Sequence, residues 1–131
     1  MLHTETNAVP VPATRSAVPA VLRLEAAAIL AAALAFYAHL DGGWGRFFAL
    51  VLAPDLAFIV YLVKPAAGRA LYNALHTYAA PASLALLALF ADWDPGIAVA
   101  LIWTAHIAVD RLAGYGLKYP GDGKNTHLQK V

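Results

Sequence analysis

The chain has 131 residues, of which 61% are hydrophobic and 13% charged, with a formal net charge of +1 and a mean hydropathy of +0.62. Soluble domains run at about 45–50% apolar and about 25% charged, so this composition excludes an ordinary water-soluble domain and a largely disordered chain, and points to lipid as the solvent. The near-neutral charge argues against nucleic acid as a partner, and the absence of cysteine removes disulfides, thiolate metal sites and a cysteine nucleophile.

Residues 1–19 read as a disordered N-terminal tail, with Pro10, Pro12, Pro19 and several Ser/Thr but no helical apolar period. Residues 20–131 form the predicted membrane domain. Four apolar runs follow, at about 20–40, 45–63, 68–91 and 95–114, each long enough to cross a hydrocarbon core of about 30 Å. The breaks carry turn chemistry: Asp41-Gly42-Gly43, Lys64-Pro65, and Asp92-Trp93-Asp94-Pro95-Gly96. Short connections predict antiparallel neighbours, hence an all-α, up-down-up-down bundle of four transmembrane helices ending in a short polar segment. About 30 alanines leave smooth helix surfaces suited to close approach in lipid. Pro54 and Pro81 are expected to kink the second and third helices, and Gly114 to cap the fourth.

Positive charge sets the expected orientation. With the N-terminus in the cytoplasm, Arg15, Arg23, Lys64, Arg69, Arg111, Lys118, Lys124 and Lys130 fall inside and only Arg46 outside. The expected location is a bacterial inner (cell) membrane, multi-pass, with both termini cytoplasmic. Trp44, Phe47, Phe48, Phe90 and Trp93 fall at the outer ends, and Tyr61, Tyr72, Tyr115 and Tyr119 at the inner ends, as aromatic belts do.

Ionisable residues inside apolar runs are costly, face the protein interior and mark functional candidates. Here they are Glu25, Asp55, His76, His106 and Asp110, with Tyr72, Asn73 and Thr77 nearby. Counting about 1.5 Å per residue puts all five in the cytoplasmic half, with Glu25 shallow and Asp55, His76 and His106 roughly 10–13 Å deep. His106 and Asp110 are i,i+4, one turn apart on one face, where they can share a metal or the carboxylate can orient the ring. The pattern suits an oxygen- and nitrogen-rich metal site for zinc, iron or manganese, with Asp55, His76, His106 and Asp110 as ligands. Glu25 and Asp55 are the candidate catalytic carboxylates, and Tyr72, Asn73, Thr77, Arg111 and His127 the supporting residues. Against this stands a purely structural network that locks helix register, with Arg111 pairing Asp110 and Arg23 pairing Glu25.

These residues resemble the bacterial integral-membrane family known as domain of unknown function 4260. The matching segments are Arg23-Leu24-Glu25, Leu52-Ala53-Pro54-Asp55-Leu56 with Tyr61, and Leu71-Tyr72-Asn73-Ala74-Leu75-His76-Thr77-Tyr78 with Pro81. They continue with Ile102-Trp103-Thr104-Ala105-His106-Ile107-Ala108-Val109-Asp110-Arg111, Gly114-Tyr115-Gly116-Leu117-Lys118-Tyr119 and Thr126-His127-Leu128. The resemblance covers about residues 21–131 and implies a small bacterial membrane protein without supplying an activity. More distantly, Pro54-Asp55 followed by His76-Thr77 is similar to a group of membrane-bound metal-dependent hydrolases. The His-Ser/Thr-His doublet of that group is incomplete here and the spacings differ.

Three functions fit the sequence. One is a membrane-embedded, metal-dependent hydrolase or oxidase acting on a lipid-like substrate, with a divalent ion activating water. A second is a small proton or ion transporter, alone or as a homo-oligomer. The third is an assembly subunit whose polar cluster only fixes packing.

Overall fold

The computed structural model describes residues 17–118 together with Leu128. The tail up to residue 16, Tyr119, Thr126 and His127 lie outside the described residues. Among the described residues all the secondary-structure elements are helices. The first apolar run forms α1 (Val18–His39) and the last forms α6 (Asp94–Ala113). At 1.5 Å per residue both reach or exceed about 30 Å.

Helix ends must dispose of their last carbonyls, and three ends here do so in the same way. Asp41, Asp92 and Gly114 take left-handed backbone, with φ of 50°, 49° and 93°. The next residue's N–H then folds back onto the helix: Gly42 to the Tyr37 carbonyl at 3.3 Å, Trp93 to Ala88 at 2.8 Å and Tyr115 to Asp110 at 2.8 Å. Gly114 is thus the expected cap of α6.

The second run is α2 (Trp44–Leu50), a 3₁₀ turn (Ala53–Leu56) and α3 (Ala57–Val63). The interruption sits at Pro54, which lacks an N–H and whose ring excludes the carbonyl four residues back. The Asp55 N–H bonds instead to Leu52, three residues back, at 3.0 Å.

The third run departs from expectation. It is not one helix over 68–91 but two, α4 (Pro65–Leu75) and α5 (Ala79–Phe90), parted at His76, Thr77 and Tyr78. Pro81 causes no kink within a helix. It lies in the first turn of α5, where backbone N–H groups have no intrahelical partner and proline costs nothing. Thr77 Oγ1 accepts the Ala79 N–H at 3.4 Å and starts the new helix. Among the described residues three stretches are therefore long and apolar enough to cross a membrane, Val18–His39, Trp44–Val63 and Asp94–Ala113, and α4 and α5 are each too short alone.

α6 is the centre of the bundle, with α1 and α5 packed along it, and α3 and α4 pack chiefly against each other. Sequential neighbours thus pair as expected for α3–α4 and α5–α6, whereas α1 lies mainly against α6 rather than the second stretch. Alanine explains that choice. Ala26, Ala33, Ala88, Ala98, Ala100, Ala105 and Ala108 are buried, while Leu24, Phe48, Leu62, Leu87 and Phe90 are exposed. Small residues inside and large ones outside suit a solvent of lipid, where close backbone approach replaces the hydrophobic drive. Gly68 serves the α3–α4 contact, because a Cβ there would collide with the Tyr61 backbone. At the end where α1 meets the start of α6, Tyr37 is buried, donates its hydroxyl to the Gly42 and Gly43 carbonyls at 2.8 Å each, and meets Trp44 and Phe47 edgewise. Phe47 is accordingly a core residue, whereas Trp44, Phe48, Phe90 and Trp93 keep the exposure expected of a belt.

Adjacent alanines on α1 test this packing. Ala33, buried against Ala98 and Ala105, should lose about 1–3 kcal/mol of stability on Ala33→Leu. The exposed neighbour Ala32, changed to Leu, should shift it little. Thermal unfolding of the two variants in the same detergent checks the difference.

Candidate metal centre

Both helix breaks face the same stretch of α6. Asp55 belongs to the 3₁₀ turn, His76 closes α4, and His106 and Asp110 sit one turn apart on α6. Four donor atoms from these residues converge. His76 Nε2 lies 3.3 Å from Asp55 Oδ1, 3.5 Å from Asp110 Oδ2 and 3.1 Å from His106 Nε2. His106 Nε2 lies 3.3 Å from Asp55 Oδ1 and 3.4 Å from Asp110 Oδ2. All four lie within 4.8 Å of one another.

The hydrogen on His76 is fixed by its other nitrogen. Nδ1 lies 2.8 Å from the Tyr72 carbonyl, which can only accept, so Nδ1 carries the proton and neutral Nε2 presents a lone pair to the cluster. Such a bond from the distal nitrogen to a carbonyl orients a ligating histidine. The Tyr72 ring stacks on His76 at 3.8 Å and 15°, which holds the imidazole plane. His76 and His106 are buried, while Asp55 keeps 38% and Asp110 23% of its side-chain surface exposed. The carboxylates therefore form the open side.

Two carboxylates and the bare His76 Nε2 around one centre repel unless a proton on His106 Nε2 or a cation lies between them. The histidine–carboxylate separations of 3.3–3.5 Å exceed the usual 2.7–3.2 Å of an N–H···O bond. They match the spacing of about 3.3–3.6 Å between ligands held tetrahedrally at about 2.0–2.2 Å from an ion. Two imidazoles and two carboxylates are also the donor set of borderline and hard divalent metals.

The break in α4 is satisfied around the same point. Leu75 receives Trp103 Nε1 at 2.6 Å, and His76 receives Arg111 Nη2 at 2.8 Å. Arg111 Nη1 donates to the Tyr115 carbonyl at 3.0 Å. Arg111 thus binds backbone rather than pairing with Asp110, because open carbonyls at a helix end need a donor that water cannot supply here.

The remaining predicted residues fall elsewhere. Glu25 is exposed and lies apart from the quartet, beside Thr77, Tyr78, Arg111 and Leu128 around a separate pocket of about 250 Å³. The Tyr78 hydroxyl is buried there without a hydrogen-bond partner among the described residues. Asn73 pairs with the backbone of Lys118 in both directions, its Nδ2 donating to the carbonyl at 2.8 Å and its Oδ1 accepting the N–H at 2.7 Å. It ties the segment after α6 to α4. Lys118 Nζ then lies over the rings of Phe58, Tyr61 and Tyr72 at 4.8, 5.7 and 4.7 Å. Burial against them pushes its pKa below the ordinary lysine value, opposed by the Asp110 charge. Thr77 precedes α5 and accepts the Ala79 N–H, and His127 is among the residues not described.

Trp103 and the break at residues 76–78 have no counterpart in the sequence reading. A signal for Trp103 did exist. An indole in the middle of an apolar run, three residues before His106, needs a partner for its N–H.

A family model for a domain of unknown function (DUF4260) matches residues 19–131, and the chain belongs to that family. No curated protein and no solved structure matches it.

Trp103→Phe keeps most of the ring and strands the Leu75 carbonyl, so it should cost about 1–3 kcal/mol. Denaturant unfolding in detergent micelles reads that loss.

Proposed function

We propose that the chain is a membrane-embedded metalloprotein in which Asp55, His76, His106 and Asp110 hold one divalent ion of the zinc, iron or manganese class, and that this ion serves hydrolysis of a lipid-like substrate. The observation that carries the reading is the convergence of two imidazole nitrogens and two carboxylate oxygens within 4.8 Å, with histidine–carboxylate separations of 3.3–3.5 Å that are long for N–H···O bonds and suit ligands around one ion. When bound, such an ion supplies a Lewis acid and a water acidified toward neutral pH.

The chain's own residues divide the remaining work. The Tyr72 carbonyl and ring hold His76 in the tautomer and plane that present Nε2. Asp55, the most exposed member, lies on the side that a reactant can approach. Arg111 and Trp103 keep the broken backbone closed while the side chains beside it remain free to ligate.

A transport path is less well supported. On the side of the quartet toward the start of α6, the buried residues of that helix are Gly96, Ala98, Ala100, Ile102 and Ala105, which offer no relay, and the buried Tyr37 hydroxyl there is bonded to the Gly42 and Gly43 carbonyls. A purely structural cluster, with a proton on His106 Nε2 donated to His76 Nε2 at 3.1 Å, would leave both carboxylates 3.3–3.5 Å from the rings, longer than good N–H···O bonds. The excess of Lys and Arg at one end supports a cytoplasmic position for both termini and for the half of the bilayer that holds the quartet.

Protein purified in mild detergent should contain one divalent ion per chain by elemental analysis. His106→Ala and Asp55→Asn should weaken metal binding roughly tenfold or more, whereas Glu25→Gln should keep it. Folded protein that takes up no divalent metal overturns the reading.

A further inference from the structure

The quartet adjoins an apolar cleft of about 200 Å³. Leu50, Ala53 and Pro54 line it at the break in the second spanning stretch, Leu75 at the end of α4, and Val99, Ile102 and Trp103 on α6. The cleft and the quartet share backbone. Pro54 precedes Asp55, Leu75 precedes His76, and Ile102 comes one turn before His106.

Several observations specify what the cleft suits. Its only polar side-chain atom, Trp103 Nε1, is already bonded to the Leu75 carbonyl at 2.6 Å, so the lining offers an occupant no hydrogen bond. It lies on the α6 face of the stretches long enough to cross a membrane, with Leu50 and Ala53 exposed at its rim. Its medium is then hydrocarbon rather than water. Its volume exceeds the roughly 150 Å³ of an apolar cavity that holds a benzene ring, so several linked carbons fit. Along α6 it lies toward Asp94, whereas Arg111 and the Glu25–Tyr78 pocket lie toward Ala113. An amphiphile lying along α6 with its chain in the cleft has its polar end at the quartet.

We infer that this cleft holds the hydrocarbon chain of a single-chain amphiphilic substrate, positioning the polar group next to that chain at the metal. The inference rests on the metal reading above and names the substrate class of that site. The 3₁₀ turn creates the subsite. A regular helix through residues 51–56 would carry side chains past α6 without interruption, whereas the break sets Ala53 and Pro54 against Ile102 and Trp103.

The probe is cobalt(II), with its visible spectrum, titrated with alkyl hydroxamates from acetohydroxamate to octanohydroxamate in one detergent. Affinity should rise by roughly threefold to fourfold per methylene and level off once the cleft is full. Val99→Trp and, on the opposite wall, Ala53→Leu should bind acetohydroxamate as the natural chain does and lose at least about tenfold of the affinity for octanohydroxamate, as expected when a few methylenes are left unburied. Partition into micelles is common to every protein compared and cancels. The exposed Ala53 tolerates added volume, so the test stands if the tryptophan variant does not fold. A chain-length gain unchanged in both variants overturns the cleft as the subsite and leaves the metal centre in place. Folded protein that gives no cobalt spectrum overturns the metal reading and this inference with it.

Discussion

A backbone carbonyl inside hydrocarbon has no water to accept from, and the organisation of this molecule follows from how that constraint is met. Two of its helical stretches are broken, at Pro54 and at His76, and each break exposes polar backbone. At the end of α4 the Leu75 and His76 carbonyls are taken by Trp103 Nε1 and Arg111 Nη2, and His76 Nδ1 adds a second bond to the Tyr72 carbonyl that already accepts the His76 N–H. Each donor is thereby immobilised. His76 is immobilised in the form that leaves Nε2 bare, so closure of the backbone and preparation of the site are one event. Membrane proteins that place broken helices around a buried site use this arrangement widely.

Much of this was legible before the structure. The ends of α1, the second stretch and α6 follow the apolar runs to within two residues, because a lipid solvent rewards uninterrupted apolarity and the turns at Asp41, Lys64 and Asp92 interrupt it. Asp55, His76, His106 and Asp110 stood out because ionisable groups in apolar runs are expensive, and their ligand atoms do converge. Glu25 met the same criterion and lies apart. Its shallow position already set it apart from Asp55, His76 and His106, and the direction it faces around α1, which depth does not give, keeps it from the quartet.

The parts that escaped reading are those decided by tertiary contact. Residues 68–91 have the composition of one helix, and Pro81 drew attention to the wrong turn. The helix ends at His76, whose N–H and Nδ1 both go to the Tyr72 carbonyl, and α6 supplies Trp103 and Arg111 to take the Leu75 and His76 carbonyls. Local propensity contains none of this. Likewise Arg111 invited pairing with its neighbour Asp110, yet it serves the His76 carbonyl, open because α4 stops there, and the Tyr115 carbonyl just after α6. The packing of α1 on α6 depends on matched alanine faces, and alanine everywhere gives every helix a candidate face.

The α3–α4 hairpin is joined to the rest of the bundle in an unusual way. Its two helices pack chiefly on each other, and the ties outward are mostly polar: the quartet, the Trp103 and Arg111 bonds, and the Asn73–Lys118 pair with its ring of aromatics. On the proposed reading an ion would rivet this hairpin to α6. Thermodynamic linkage then makes occupancy and docking reciprocal. Whatever strengthens the seating of the hairpin tightens the ion, and whatever levers the hairpin away, such as lateral pressure in a thinner bilayer, loosens the ion by the same factor.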